Sequence, residues 1–188
     1  YYHSVSDYIL QIPLAMSDVD GDGQEDDLVY GYENTDATLT GIELSFVYHP
    51  AERWSVPGSI FYVWGKDDLR DVPLPEIPPL DLRVAARRTF PGRVSGWLEL
   101  GARFVDGATR IDPAFPEDET PSFHVWHLRG RCALSRHFAL EAGIENLLDA
   151  EYWEHLTREA AGNVPGLTPG QEIPNPGRFF TLALRADF

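Results

Sequence analysis

Ten residues, Asp18-Val-Asp-Gly-Asp-Gly-Gln-Glu-Asp-Asp27, form the strongest local signal for a ligand. Carboxylates recur at Asp18, Asp20 and Asp22, and Gly23 permits a sharp bend; in a calcium-loop geometry the Gln24 carbonyl would point inward and Asp26 would coordinate directly or through water. This is the spacing of a calcium loop, and calcium suits it as a hard cation that takes about six to eight oxygens. Two departures matter. The bidentate glutamate of a helix-flanked loop would fall at Val29, and no helical pattern borders the stretch. Two readings therefore stay open: a weak, extracellular-type structural Ca2+ site at Asp18, Asp20, Asp22, Gln24 and Asp26, or an acidic loop tip.

Other chemistry is sparse. His124 and His127 lie three apart in a strand pattern, which puts them on opposite faces and prevents joint chelation. His49 and His137 read as turn residues. Met16 and His155, on two long loops, are the remaining pair from which a substrate contact can be assembled. Gly-x-Ser-x-Gly is absent, with Pro57-Gly-Ser-Ile-Phe61 the nearest stretch, and so are phosphate-loop and zinc spacings. Paired carboxylates carry no weight in a chain this acidic. We read the chain as non-enzymatic. Its lone cysteine, Cys132, permits no internal disulfide, and its strand neighbours mark it as a lipid-facing or packed thiol.

The chain has 188 residues, enough for one domain, with a formal charge of −15. Acidic residues gather at 18–27 and 117–119, a surface that repels nucleic acid and excludes it as a partner. Twelve per cent aromatic residues, 15 prolines and 16 glycines fit many strands joined by turns. No run of 18 apolar residues exists, so no membrane-spanning helix is expected; a barrel crosses with alternating strands and is untouched by that argument.

Alternation predicts eight strands. They fall near 5–14 (Tyr8, Leu10, Ile12 and Leu14 sharing one face), 28–48, 54–65, 80–90, 94–105, 122–134, 138–148 and 180–188. Long and short connections alternate between them, as extracellular loops and periplasmic turns do in outer-membrane barrels. One face is apolar throughout. The other carries Glu43, Arg83, Arg87, Glu99, Arg103, Arg129, Arg131, Glu141, Glu145 and Arg185, facing either bulk solvent or a wet lumen. Aromatics near strand ends, among them Tyr48, Trp54, Phe90 and Trp126, fit interfacial girdles or ordinary packing. In the last strand Phe180, Leu182, Leu184, Ala186 and Phe188 alternate with Thr181, Ala183, Arg185 and Asp187.

Two phrases give a family resemblance. Asn146-Leu147-Leu148-Asp149-Ala-Glu-Tyr152 precedes a long loop, and Pro176-Gly177-Arg178-Phe179 then opens a terminal strand closing on Phe188. Together with Leu74-Pro-Glu-Ile-Pro-Pro-Leu80 and Thr40-Gly-Ile-Glu-Leu44, in the same order, they resemble the C-terminal end of TonB-dependent outer-membrane receptors of Gram-negative bacteria. The resemblance implies an all-β fold, an antiparallel transmembrane β-barrel of which residues 1–188 form the C-terminal portion of about eight strands. The plug, the segment engaging the energising partner and the N-terminal strands lie outside this sequence.

It also implies energised uptake of a scarce metal chelate of the iron–siderophore, haem, cobalamin or copper class. The implied partners are outer-membrane lipid and lipopolysaccharide, the plug with the N-terminal strands, the TonB complex acting through that plug, and the barrel-assembly machinery. Phe180, Leu182, Leu184 and Phe188 would be the assembly signal. Asn146, Leu147, Asp149, Tyr152, Pro176, Gly177 and Arg178 would fix strand ends around the last loop. Loops 15–27, 66–79, 106–121 and 155–176 would contribute to ligand capture, while lumen charges pair with one another or with the plug. Two rival readings are a complete eight-strand barrel acting as an anchor or adhesion module, and a secreted calcium-binding β-domain.

Overall fold

Each strand that alternation locates does form. The computed structural model describes residues 1–18, 23, 27–157, 168 and 171–186. Its elements are β1 (Tyr2–Ser17), β2 (Asp27–Ala51), β3 (Trp54–Asp67), β4 (Val72–Pro73), β5 (Asp81–Phe90), β6 (Gly96–Val105), β7 (Phe123–Ala133), β8 (Phe138–Glu145) and β9 (Phe179–Ala186). They make one antiparallel sheet in the order β1-β2-β3-β5-β6-β7-β8-β9, with β4 hanging from the end of β3. Eight are the expected strands. The ninth, β4, has two residues in a proline-rich loop, too short to leave a periodic signal.

The sheet is open. Among the described residues β1 and β9 are its two edges and do not pair, so the self-closed eight-strand barrel does not form. Unpaired edges of this length are templates for further strands.

Alternation sorts the side chains by face. The register Leu140↔Leu184, Ala142↔Leu182, Ile144↔Phe180 stacks apolar residues on one side of the last two strands. Ile42, Leu44 and Phe46 on β2 and Leu98, Leu100 and Phe104 on β6 continue that side, and all are exposed. Leu182 reaches 75 % exposure, whereas Asp67, Glu99 and Asp112 are buried. This inverts the burial order of a soluble domain and leaves an apolar face far beyond a scattered surface residue. It argues against the secreted β-domain, which needs a dry side between two sheets.

The first strand keeps its expected face but is interrupted by bulges. In β1, Leu10 packs in the small apolar cluster with Ala37 and Leu74, and Tyr8 and Ile12 lie against it, as the alternation requires. Leu14 lies on the same side, its Cδ1 2.8 Å from where a Cβ on Gly31, the partner of Ile12, would stand, but it is outside the cluster and 61 % exposed. Register shifts between Val5 and Tyr8 and between Pro13 and Ala15, with Asp7 at φ 56°, are bulges that re-aim the strand. An inserted residue shifts the register, and alternation counted along one strand cannot see it.

The cluster has a specific cause. Leu74, from the loop between β3 and β5, tucks onto Gly65 with Leu74 N donating to Gly65 O at 3.2 Å. A Cβ at Gly65 would stand 2.9 Å from Ile77 Cδ1 and 3.1 Å from Leu74 Cδ1, so this approach needs glycine. The phrase from Leu74 to Leu80 is thereby held against the sheet.

Candidate functional site

On the concave face, strand register sets arginines beside carboxylates. Arg87 pairs with Glu99 at 2.7 Å, and His127 Nε2 lies 3.4 Å from the other Glu99 oxygen. Arg129 meets Glu145 at 2.6 Å, and Arg131 meets Glu141 at 3.1 Å. Asp81 receives both Arg83 and Arg103 at 2.9 Å, and Arg103 also chelates Glu154 beyond β8, its Nη2 at 2.9 Å. The Arg87 guanidinium lies 4.4 Å from the Trp97 ring centre, and Arg103 lies 5.5 Å from that of Phe123. Five arginines face five carboxylates here, so this wall adds nothing to the net charge of −15. Their partners are one another, the arrangement expected of lumen charges, and none is left as a free acid, base or nucleophile.

At the long-loop end a second set of charges ties loops together. Asp67 is 0 % exposed. Its Oδ1 accepts from Thr35 Oγ1 at 2.7 Å and from the Leu69 and Arg70 backbone N–H groups at 3.0 Å, while Oδ2 accepts from Arg70 Nε at 2.6 Å. Arg70 continues to buried Asp112 at 3.3 Å. This joins β2, the end of β3 and the loop between β6 and β7. Burial alone would raise the Asp67 carboxyl, but the hydrogen bonds from Thr35 and Arg70 outweigh it and hold the group below its ordinary value. Burial likewise works against the Arg70 charge, and Asp67, with Asp112 behind it, holds that guanidinium above its ordinary value.

A third contact joins the loop segments at Glu76, Glu117 and His155. Glu117 Oε1 accepts from the Glu76 N–H at 2.8 Å and lies 2.7 Å from His155 Nε2. A carboxylate can only accept, so Nε2 carries a proton, and Nδ1 lies 3.3 Å from Thr120 Oγ1. The His155 side chain is 2 % exposed, and the second Glu117 oxygen is buried with no protein partner. Beside these groups lies a polar cavity of about 340 Å³, lined by Gln11, Tyr30, Glu76, Phe115, Glu117 and His155 among others.

The sequence-derived candidates divide. Met16, 54 % exposed on β1, does not line that cavity, and His155 is engaged by Glu117 and Thr120, so the two are not brought together. His124 and His127 fall on opposite faces: one ring stacks with Phe104 at 6.0 Å, the other meets Glu99. Of the acidic loop, Asp20, Asp22, Gln24 and Asp26 lie outside the described residues, as does Phe188. Asp18 Oδ2 accepts from Gly23 N at 3.1 Å, with Gly23 at φ 91°. Among the described residues no group of three or more His, Cys, Asp or Glu is arranged to hold a metal. Cys132 opens onto an apolar groove of the outward face.

The two phrases near the C-terminus meet. Asn146, at φ 47°, donates from Nδ2 to Ala150 O at 2.7 Å and to Pro176 O at 3.3 Å, and its Oδ1 accepts from Ala150 N at 2.8 Å. Asp149, at φ 56°, accepts from Arg178 N at 2.7 Å. A Cβ at Gly177 would stand 2.9 Å from that carboxylate. Leu147 N donates to Trp126 O at 2.7 Å, and the Tyr152 ring packs 4.5 Å from Phe123.

Sequence reasoning missed Asp67, Arg70, Asp112 and Glu117. The Asp67-Asp-Leu-Arg70 spacing at a strand end, acid and base three apart, is the one local signal that marks such a site. The links to Asp112 and Glu117 cross some forty residues and leave no trace along the chain.

An open antiparallel sheet with an apolar outer face, a charge-paired concave face, long loops at one end and short turns at the other is part of a transmembrane β-barrel wall. The sequence pattern of the family described as TonB dependent receptor-like, beta-barrel matches residues 1–147, and the chain belongs to that family. Solved structures agree. The copper transporter OprC is similar along the whole chain, at 29 % identity and a TM-score of 0.85, and the chain spans 28 % of its length. The ferric enterobactin receptor PfeA of Pseudomonas aeruginosa, solved as a mutant, is similar at 19 % identity and 0.66, with all of this chain covering 28 % of that one. The ferric-catecholate import receptor Fiu of E. coli K12 follows at 15 % and 0.63, with full coverage of this chain and 24 % of Fiu. No curated protein sequence matches the chain.

Proposed function

We propose that the chain forms the C-terminal barrel strands of an outer-membrane importer driven by the TonB complex, with copper, as ion or chelate, as its cargo. The observation that carries this is the 29 % identity with the copper transporter OprC over the whole chain, at a TM-score of 0.85. Similarity to the ferric-catecholate receptors is lower in identity and speaks for the fold alone.

In this reading the concave ladder from Arg87 to Glu145 meets the plug, which the inner-membrane complex pulls to release cargo. The long loops 15–27, 66–79, 106–121 and 155–176 contribute to ligand capture, and the contacts of Asp67, Arg70 and Glu117 tie 66–79 to 106–121 and to His155. Phe180, Leu182, Leu184 and Phe188 present the terminal strand to the barrel-assembly machinery. Asn146, Asp149, Gly177 and Arg178 close the two strand ends around the last loop. The acidic loop holds Ca2+ as a structural ion.

Soft metal prefers thiolate, thioether and imidazole ligands. Among the described residues this segment offers Met16 and the imidazoles of His3 and His124 towards the loop end, but they lie on separate strands and form no cluster, while His155 is committed and Cys132 faces outward. The main cargo ligands therefore belong to parts of the receptor beyond this segment. The test is binding and uptake by the whole receptor, with copper and a ferric catecholate offered in parallel. Copper accumulation that depends on the receptor is expected. Transport of the ferric catecholate without copper would overturn the cargo assignment.

A further inference from the structure

Five arginines of the concave wall face carboxylates, yet Arg53, Arg88, Arg93 and Arg136 make no ion pair among the described residues. All four sit at the short-turn end: Arg53 between β2 and β3, Arg88 near the end of β5, Arg93 between β5 and β6, Arg136 between β7 and β8. The three turns, 52–53, 91–95 and 134–137, carry a single carboxylate, Glu52. In a chain of net charge −15 this end is basic.

Arg88 is placed unlike the others. By strand parity it follows Leu82, Val84 and Ala86 onto the apolar outward face, where an uncompensated charge is costly unless it reaches the interface or finds an anion. Its guanidinium stands 5.5 Å from the Trp54 ring centre and 5.3 Å from that of Phe90, which fix the group without neutralising it. A guanidinium so held offers a planar fork suited to phosphate.

A groove adjoins it. One cross-strand row runs Trp54↔Arg88↔Leu98↔Gly130↔Ala142↔Leu182 over six strands. Two small residues, Gly130 and Ala142, stand between the larger Leu98 and Leu182, and the row sinks there into a trough of about 730 Å³ lined almost wholly by carbon. Phe90 borders this trough and also stacks on Arg88, so the charged and apolar parts share a wall. Ala142 lies four residues into β8 from the turn, while Arg88 lies two from the end of β5, so the trough leads away from the rim.

We propose that this row holds an anionic phospholipid of the inner leaflet, its phosphate on Arg88 and an acyl chain in the trough over Gly130 and Ala142. The proposal rests on the outward face meeting lipid. The other unpaired arginines attract the same headgroups along the rim.

The test uses the whole receptor in mild detergent, with phosphatidylglycerol or phosphatidylcholine added and retained lipid counted by native mass spectrometry. Both lipids bring a phosphate to Arg88, but only phosphatidylcholine brings a quaternary ammonium beside the basic rim, so phosphatidylglycerol should be retained roughly tenfold better. Arg88→Gln should bring the ratio near one, Arg88→Lys should fall between, and Ala142→Phe should reduce retention of both lipids. Excess inorganic phosphate should not displace the lipid, because it fills no trough. Equal retention of both lipids by the native receptor, or a ratio unmoved by Arg88→Gln, would overturn the site. So would displacement by free phosphate, or Ala142→Phe leaving retention of both lipids unchanged. Heat-modifiable gel mobility of each variant reports insertion separately, so failure of the membrane reading is distinguishable from failure of the lipid site.

Discussion

The concave wall and the long-loop end both bury charge, but by different routes. On the wall, Arg87 and Arg131 find Glu99 and Glu141 directly opposite on neighbouring strands, and Arg129 finds Glu145 two residues along from its partner Gly143. Many of these pairs remain partly wet, and each is replaceable. At the loop end one buried carboxylate, Asp67, gathers a threonine, two backbone N–H groups and Arg70, and through Arg70 reaches Asp112. The wall is a repeated arrangement, whereas the loop end hangs on single residues. Their removal should therefore cost very different amounts.

The largest expected effect is Asp67→Ala. It strands Arg70 and the Thr35 hydroxyl, and leaving several buried donors unmet costs on the order of 2–4 kcal/mol. A lower denaturant midpoint and faster proteolysis within residues 68–80 and 106–122 of the folded receptor would show it. The same carboxylate makes a pH prediction. Its folded pKa lies below the unfolded one, so its stabilisation is complete above the ordinary carboxylate range and is lost as pH falls through the folded value. Asp67→Asn should flatten that part of the acid profile, and an unchanged profile would contradict the assignment.

Asn146→Ala comes next. It removes three hydrogen bonds and puts alanine at φ 47°, a loss of about 1–3 kcal/mol with the Pro176 contact gone. Hydrogen exchange at Ala150 and Arg178 should rise together. Gly65→Ala should cost about 1–2 kcal/mol by pushing Leu74 and Ile77 off β3, read as loosening of loop 68–80 with the barrel intact. Arg129→Gln on the wall should change stability by less than about 1 kcal/mol, since its pair with Glu145 is half exposed. A wall substitution as costly as Asp67→Ala would erase the contrast between the two regions.

How much could be read from sequence follows the same division. Alternation located eight strands and both faces of the wall, because period-two patterning is the signal such a wall leaves. It missed β4, which is two residues long, and the bulge between Pro13 and Ala15, which consumes a residue without altering composition. The phrases at Asn146 and Pro176 were visible as phrases, but their meeting through Nδ2 and Oδ1 is a long-range contact. The buried charges at Asp67 and Glu117 were invisible for the same reason. Acidic residues are common in this chain, and only the tuck of two loops selects which are buried.

The central claim is that the apolar side of this sheet faces lipid and the charged side a wet lumen. Single cysteines at Leu182 and Ala183 in β9, placed one at a time in the whole receptor with Cys132→Ser and carrying a fluorophore, test it directly in a bilayer. A lipid-borne quencher should dim the label at 182 and spare the one at 183, while an aqueous quencher does the reverse. Equal access of the aqueous quencher to both, with no effect of the lipid-borne one, would contradict the account.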